Sequence, residues 1–294
     1  MIYLVDASVY IFRAYHALPP DMVDRDGNPA HAVFGFARMM GDLIERARPK
    51  YIAVAFDKSL MKCFRNRIYP GYKAHRDPPP ADLEFQFGRC MELCRCLGIT
   101  ALASTEYEAD DIIGTLVTTM RREGVRSTVI TRDKDLSQLI REGDVYWDFG
   151  GRGPFGYHDM ERQFGVVPER FADYLALTGD TVDNIPGIPG IGPKTAAALM
   201  KEFASLDHLY ADLERVVTLK LRGAAALGAR LREHREAAFL ARQLTGIMCE
   251  VPLEIGTDAL RRRVPDVPAL ASFYDNQGFG PFLRRQGERL AQLP

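Results

Sequence analysis

Nine acidic residues stand where a fold could gather them: Asp6, Asp57, Glu108, Asp110, Asp111, Asp133, Asp135, Asp180 and Asp183. Asp6, Asp57 and the pair Asp133 and Asp135 each follow or close a short apolar run, at 2–5, 51–56 and 127–131. Glu108, Asp110 and Asp111 fall in the first turn of an amphipathic stretch that follows another run, at 99–103. Asp180 and Asp183 share Thr178-Gly179-Asp180-Thr181-Val182-Asp183-Asn184. In open parallel sheets ligands bind beyond the carboxyl ends of the strands, so these acids are expected to converge on one edge. Carboxylates so crowded repel one another, and some must hold protons unless a cation intervenes. No His or Cys accompanies them, and an all-oxygen set suits Mg²⁺ or Mn²⁺ rather than zinc. Two such ions about 4 Å apart can activate a water and stabilise the leaving oxygen in phosphodiester hydrolysis. Because Mg²⁺ keeps several waters, some of the nine are expected to act through water or from behind the ligands. Taken singly, an acid in a first helical turn or at a strand end has a plainer explanation. Their joint placement does not.

These acids need a scaffold. Apolar runs at 2–5, 51–56, 99–103, 127–131 and 145–149 alternate with helical patterns at 8–17, 32–47, 81–97 and 106–122. That alternation predicts an α/β fold, a mostly parallel central sheet flanked by helices. The last helix carries a capping-box pattern, Thr105-x-x-Glu108, and an apolar stripe of Ile112, Ile113, Leu116, Val117 and Met120. The stretch 59–80 fits neither period and ends in Asp77-Pro78-Pro79-Pro80, the mark of a long functional insertion. Beyond about 156 the strand signals fade into helix punctuated by Gly and Pro, and 187–194 reads as a rigid hairpin feeding a helix.

Composition bounds the class. At 294 residues, 47% hydrophobic and 26% charged, the chain suits one large globular domain or a domain with a helical annex. Five cysteines, an odd number, fit reduced thiols, and Cys90 and Cys94 fall on the apolar stripe of the 81–97 helix. No apolar run is long enough to span a membrane, and Met1 is followed closely by Asp6 with no basic leader, so a cytoplasmic protein without a signal peptide is expected. The net charge of −1 hides strong segregation. Between 58 and 76 lie Lys58, Lys62, Arg65, Arg67, Lys73 and Arg76 with no acid, whereas 106–111 holds four acids and no cation. Such a distribution suits a protein that holds both cations and polyanions.

With these residues in view, the chain resembles the flap endonuclease superfamily, and within it the 5′-nuclease domain of bacterial DNA polymerase I and free-standing bacterial 5′–3′ exonucleases. The resemblance rests on Leu4-Val5-Asp6, Arg13-Ala14-Tyr15-His16-Ala17, Phe56-Asp57 with Phe64-Arg65, and Gly71-Tyr72-Lys73-Ala74-x-Arg76. It continues through Tyr107-Glu108-Ala109-Asp110-Asp111, Asp133-Lys134-Asp135-Leu136-x-Gln138-Leu139 and 176–195, in the family's order up to about 200. It implies a PIN-like core with a helical arch over the active site at 58–80. It implies all nine acids as metal-site positions, Lys73 and Arg76 as catalytic cations, and Arg65 and Tyr72 as DNA contacts. Tyr72 could stack an unpaired base or pack against the arch. The hairpin resembles a helix–hairpin–helix element, at about 180–203. There Gly187, Gly190, Gly192, Lys194 and Thr195 would grip duplex DNA independently of sequence, with a K⁺ ion in the family's usual place. Ala7, Cys63 and Arg132 depart from the family's common residues, and none removes an acid.

The resemblance thus implies a core at 1–165 and a mainly helical DNA-binding region at 166–294. The implied activity is two-metal hydrolysis of branched, nicked or 5′-ended DNA, leaving a 5′-phosphate and a 3′-hydroxyl, with replication and repair proteins as partners. The chain ends where a polymerase I would continue, so a free-standing nuclease is expected. A non-catalytic junction binder would share the hairpin and basic segment but should lack part of the acid set. A nucleotide triphosphatase is disfavoured, because Pro193 separates Gly192 from Lys194 where the phosphate-binding loop needs Gly followed by Lys.

Overall fold

The apolar runs near the start of the chain fold as strands, and the helical stripes between them as crossovers. In the computed structural model, which describes residues 1–58, 62–221 and 223–293, β1 (Ile2–Asp6) leads into α1 (Ala7–Ala17) and α2 (His31–Ala47). Next come β2 (Tyr51–Asp57), α3 (Phe64–Ile68), α4 (Ala81–Cys96), β3 (Thr100–Ser104), α5 (Ala109–Arg122), β4 (Ser127–Ile130) and β5 (Val145–Trp147). The sheet order is β3-β2-β1-β4-β5 with every pairing parallel. β1 is therefore central. Its register sets Asp6 opposite Ala55, and β2 runs on along the same edge to Asp57, opposite Ser104.

Both faces of this sheet are covered, as the apolar composition of its strands requires. Val5, Val54 and Ile130 pack with Phe36 and Met40 of α2, while Leu4, Ala53 and Val129 pack with Ile112, Ile113 and Leu116 of α5. Cys90 and Cys94 are fully buried on α4, as their helical spacing predicts.

The remainder is helical. α6 (Tyr157–Phe164) and α7 (Phe171–Thr178) precede a two-stranded ribbon, β6 (Gly179–Asp180) against β7 (Ile185–Pro186). Then follow α8 (Pro193–Glu202), α9 (Leu206–Ala211), α10 (Leu213–Thr218), α11 (Ala224–Glu233) and α12 (Arg235–Thr245). Phe171, Leu175, Leu199, Leu231 and Leu244 form a second core there. The chain then returns: α13 (Val267–Asn276) and α14 (Pro281–Ala291) bring Leu270, Tyr274, Leu283 and Leu290 into the cluster of α2. Among the described residues no helix is long and apolar enough to cross a membrane.

Two sequence expectations shift. α5 starts at Ala109 rather than 106, because the Ser104 hydroxyl accepts hydrogen bonds from the backbone N–H groups of Glu106 and Tyr107 and holds them in a turn. Glu108 becomes the N-cap and its reciprocal partner is Asp111, in place of Thr105 with Glu108. In the 58–80 segment, α3 is the only helix among the described residues; 59–61 lie outside them.

Candidate active site

A cavity of about 620 Å³ opens at the carboxyl edge of the sheet, lined by Asp6, Asp57, Glu108, Asp110 and Asp133 together with Lys73 and Arg76. The fold explains each arrival. Asp6 closes the central strand, Asp57 closes β2, Glu108 and Asp110 begin α5, and Asp133 follows β4. Sequence reasoning missed the groups that aim them. The Ser8 hydroxyl donates to Asp57 Oδ2 at 2.5 Å, and the backbone N–H of Ala109 donates to Oδ1 at 2.8 Å. The Thr131 hydroxyl donates to Asp6 Oδ2 at 2.8 Å. Their signal was adjacency: Ser8 lies just past Asp6, and Thr131 ends the run before Asp133.

The electrostatics divide these acids into two kinds. Burial, and then the neighbouring Asp57, push the Asp6 carboxyl up to about 8. Burial and crowding raise Asp57, Asp110 and Asp133 as well; for Asp110 the repelling neighbours are Asp133, Asp6, Asp57 and Glu108. Glu108 goes the other way. Burial opposes its charge, but Lys73 and Arg65 outweigh that and hold it at about 2. Lys73 Nζ lies 2.5 Å from Glu108 Oε1, which keeps the ammonium charged against its own burial.

The other four acids do not line this cavity, though Asp135 and Asp183 act electrostatically on Asp133 or are acted on by it. Asp111 is wholly buried beneath the cavity wall, bound by both guanidinium nitrogens of Arg65 and by the backbone N–H groups of Glu108 and Met248. Asp180 is buried and accepts from Lys134 Nζ at 2.6 Å. Asp183 pairs with Arg76 at 2.6 Å and accepts from the Tyr72 hydroxyl. Asp135 sits beside Asp133, whose Oδ1 accepts its backbone N–H. Burial, and then Asp133, push Asp135 up to about 8. Among the described residues no three His, Cys, Asp or Glu side chains are arranged to hold a metal ion as they stand.

Of the expected DNA contacts, Arg65 and Tyr72 are each 3% exposed in the protein alone. Arg65 has turned inward to neutralise Asp111 and Glu108. Tyr72 packs in the second core. The hairpin is formed as expected. Gly190, Gly192 and Lys194 are exposed around the start of α8, whose N-cap is Gly192, with Thr195 half-buried behind. Gly187 serves the backbone instead: a Cβ there would collide with the Thr178 carbonyl and Gly179. Gly190 has φ 76°, and the Arg230 guanidinium of α11 lies against it, a cation that spacing could not have placed.

A five-stranded parallel sheet with acids along its carboxyl edge, joined to a helical hairpin region, defines the class. The family description "5′-3′ exonuclease, N-terminal resolvase-like domain" matches residues 1–165, and "5′-3′ exonuclease, C-terminal SAM fold" matches residues 166–268. The chain belongs to this 5′–3′ exonuclease family. It is 39% identical over 295 residues to DNA polymerase I of Rhizobium leguminosarum, a match that covers 98% of this chain and 28% of that relative. It therefore spans less than a third of that polymerase. A 5′–3′ exonuclease of Aquifex aeolicus is 33% identical over 92% of this chain and 89% of its own length. The fold is shared with a bacteriophage T5 flap endonuclease variant solved as a pseudo-enzyme–product complex with DNA and metal ions. That likeness has a TM-score of 0.66 at 20% identity and covers 99% of both chains.

Proposed function

We propose that this chain is a structure-specific 5′-nuclease that hydrolyses phosphodiester bonds of DNA, as a 5′–3′ exonuclease and at 5′ flaps. The observation that carries this reading is the cavity in which five carboxylates face Lys73 and Arg76.

The donors fit a hard divalent cation. They are carboxylate oxygens alone, crowding and burial drive protons onto most of them, and Asp135 Oδ1 is buried with no hydrogen-bond partner. Asp6, Asp57, Glu108, Asp110 and Asp133 would hold two Mg²⁺ or Mn²⁺ ions, with Asp135 beside them. Asp180 and Asp183 support them through Lys134 and Arg76. When bound, such ions supply an activated water and a counter-charge for the leaving oxygen. Asp111 acts from beneath, fixing Arg65 and through it Glu108. Lys73 and Arg76 bind the scissile phosphate and offset the charge that develops on it. Cleavage leaves a 5′-phosphate and a 3′-hydroxyl.

Within the helical region 166–294 the hairpin around 187–195 grips the duplex, α13 and α14 return to the core, and residues 1–165 cut. At Gly190, Gly192, Lys194 and Thr195, free N–H groups at a helix start and the lysine offer a phosphate site, and a K⁺ ion could share it with the DNA. DNA is the partner, and replication and repair proteins are those it would serve. The test is a labelled 5′-flap incubated with Mg²⁺, with Mn²⁺ and with EDTA, with the 5′ end free or blocked. Metal-dependent release of the flap is expected. Binding without cleavage under every condition would leave a non-catalytic junction binder.

A further inference from the structure

The base of the basic segment and the turn of the β6–β7 hairpin are fastened together at the edge of the cavity. The Lys73 backbone N–H donates to the Asp183 carbonyl at 3.0 Å. The Asn184 side-chain amide donates to the Gly71 carbonyl at 2.7 Å. Arg76 reaches both the Val182 carbonyl, at 3.3 Å, and the Asp183 carboxylate, at 2.6 Å. The Gly71 carbonyl also accepts the backbone N–H of Ala74 at 3.1 Å, closing the turn that contains Lys73.

Both members of this junction hold backbone conformations that L-residues leave unless they are constrained. Lys73 has φ 54° and Asn184 has φ 57°. Asn tolerates the left-handed region better than most side chains, which accounts for its place in the hairpin turn. It does not account for the amide reaching across to Gly71. The hairpin itself is held from behind: Asp180 accepts from Lys134 and from the Val182 N–H, and Ile188 donates to the Leu177 carbonyl of α7. Six residues past Asn184, beyond β7, the chain reaches Gly190 at the exposed end proposed to bind phosphate. One short segment, 184–190, thus joins the proposed duplex grip to the Lys73 turn.

We propose that Asn184 is a positioning residue for cleavage: its amide fixes the Gly71–Ala74 turn, and so the direction in which Lys73 meets the scissile phosphate, and it ties that direction to the element that grips duplex DNA. The inference rests on the nuclease reading above. A displacement of about 1 Å at a reacting centre can cost about 100-fold in rate, so loss of one such bond should register in turnover rather than in binding.

The experiment uses the full chain and two variants. Asn184→Gly keeps the left-handed turn and removes the amide; Asn184→Asp keeps the size and sets a carboxylate oxygen against the Gly71 carbonyl. Single-turnover cleavage of a 5′-flap in Mg²⁺ is compared with junction binding in EDTA, with and without Lys73→Ala. Both variants should cleave about tenfold or more slowly with binding nearly unchanged, and neither should slow the Lys73→Ala protein further. A merely structural role would weaken binding in parallel or add its loss to that of Lys73→Ala, and either result overturns the proposal. So does Asn184→Gly cleaving at the rate of the unaltered chain. If the unaltered chain itself releases no flap, the nuclease reading fails instead, and the two failures are told apart by that control.

Discussion

Arg65 spends all five of its N–H donors on protein acceptors, and two of them clasp the buried carboxylate of Asp111 at 2.7 and 2.8 Å. The others reach Glu108 and the carbonyls of Leu244 and Gly246, so one guanidinium joins α3, α5 and the end of α12. Breaking a buried pair from one side leaves an uncompensated charge and costs about 3–5 kcal/mol. Arg65→Ala should therefore lose about that much stability in urea titrations, and Asp111→Asn a substantial part of it. An unchanged midpoint in both variants would refute the strut role and return Asp111 to the candidate ligands.

Asp110 should behave in the opposite way. Its carboxyl is raised by burial and by four acidic neighbours, so in the metal-free protein its charged form meets repulsion and it holds a proton instead. Asp110→Asn removes that repulsion, and the melting temperature in EDTA should hold or rise. Cleavage in Mg²⁺ should fall by more than the about 10–100-fold typical of residues behind a metal's ligands. A destabilised but active Asp110→Asn protein would contradict both halves.

The same crowding makes the metal-free fold sensitive to pH. In the folded chain Asp6 and Asp135 keep their protons to about pH 8, whereas unfolded aspartates release them near about 3.9. Between those values the folded state binds more protons, so stability is highest at the acid end of the window and falls as pH rises through it. Melting in EDTA should drop from pH 5 to pH 8, and Mg²⁺ should raise the melting temperature more at pH 8 than at pH 5. A Mg²⁺ effect equal at both values would argue against these carboxylates as its site.

Much of this was legible because two periods dominate the chain. Strands at 2–5, 51–56 and 127–131 could be read from their apolar runs, and the parallel order then forces Asp6, Asp57 and Asp133 to one edge. What escaped was side-chain direction. Glu108 and Asp111 are three apart on one helix, yet one lines the cavity and the other lies beneath it against Arg65. No spacing rule distinguishes them, since the choice is made by α3 and by Met248, far away in sequence. Likewise Arg65 and Tyr72 belong to a basic run that reads as solvent-facing, and only tertiary packing turns both inward.

Lys194 follows Pro193 at the start of α8 and is exposed beside Gly192. If it meets a duplex phosphate, it contributes one charge to counterion release. Lys194→Ala should weaken junction binding for all sequences alike and lower the slope of log affinity against log salt by about 1. Measured slopes that coincide for the two proteins would place the duplex elsewhere.

Lys73 offers the sharpest test of the chemistry. Its ammonium lies 2.5 Å from Glu108 and 3.7 Å from Asp183, and its side chain is 20% exposed on the cavity wall. A cation held there by two acids contributes little to net attraction for DNA, because its charge is already balanced in the free protein. Its value lies in the transition state, where charge builds on the phosphate and a preorganised cation needs no solvent rearrangement. Lys73→Ala should then slow single-turnover cleavage by about 100- to 1,000-fold, while junction affinity changes only a few-fold. Lys73→Arg restores the charge but not the compact ammonium or its fit against Glu108, and should recover only part of the rate. Equal losses of rate and affinity in Lys73→Ala would make Lys73 a phosphate anchor rather than a catalytic group.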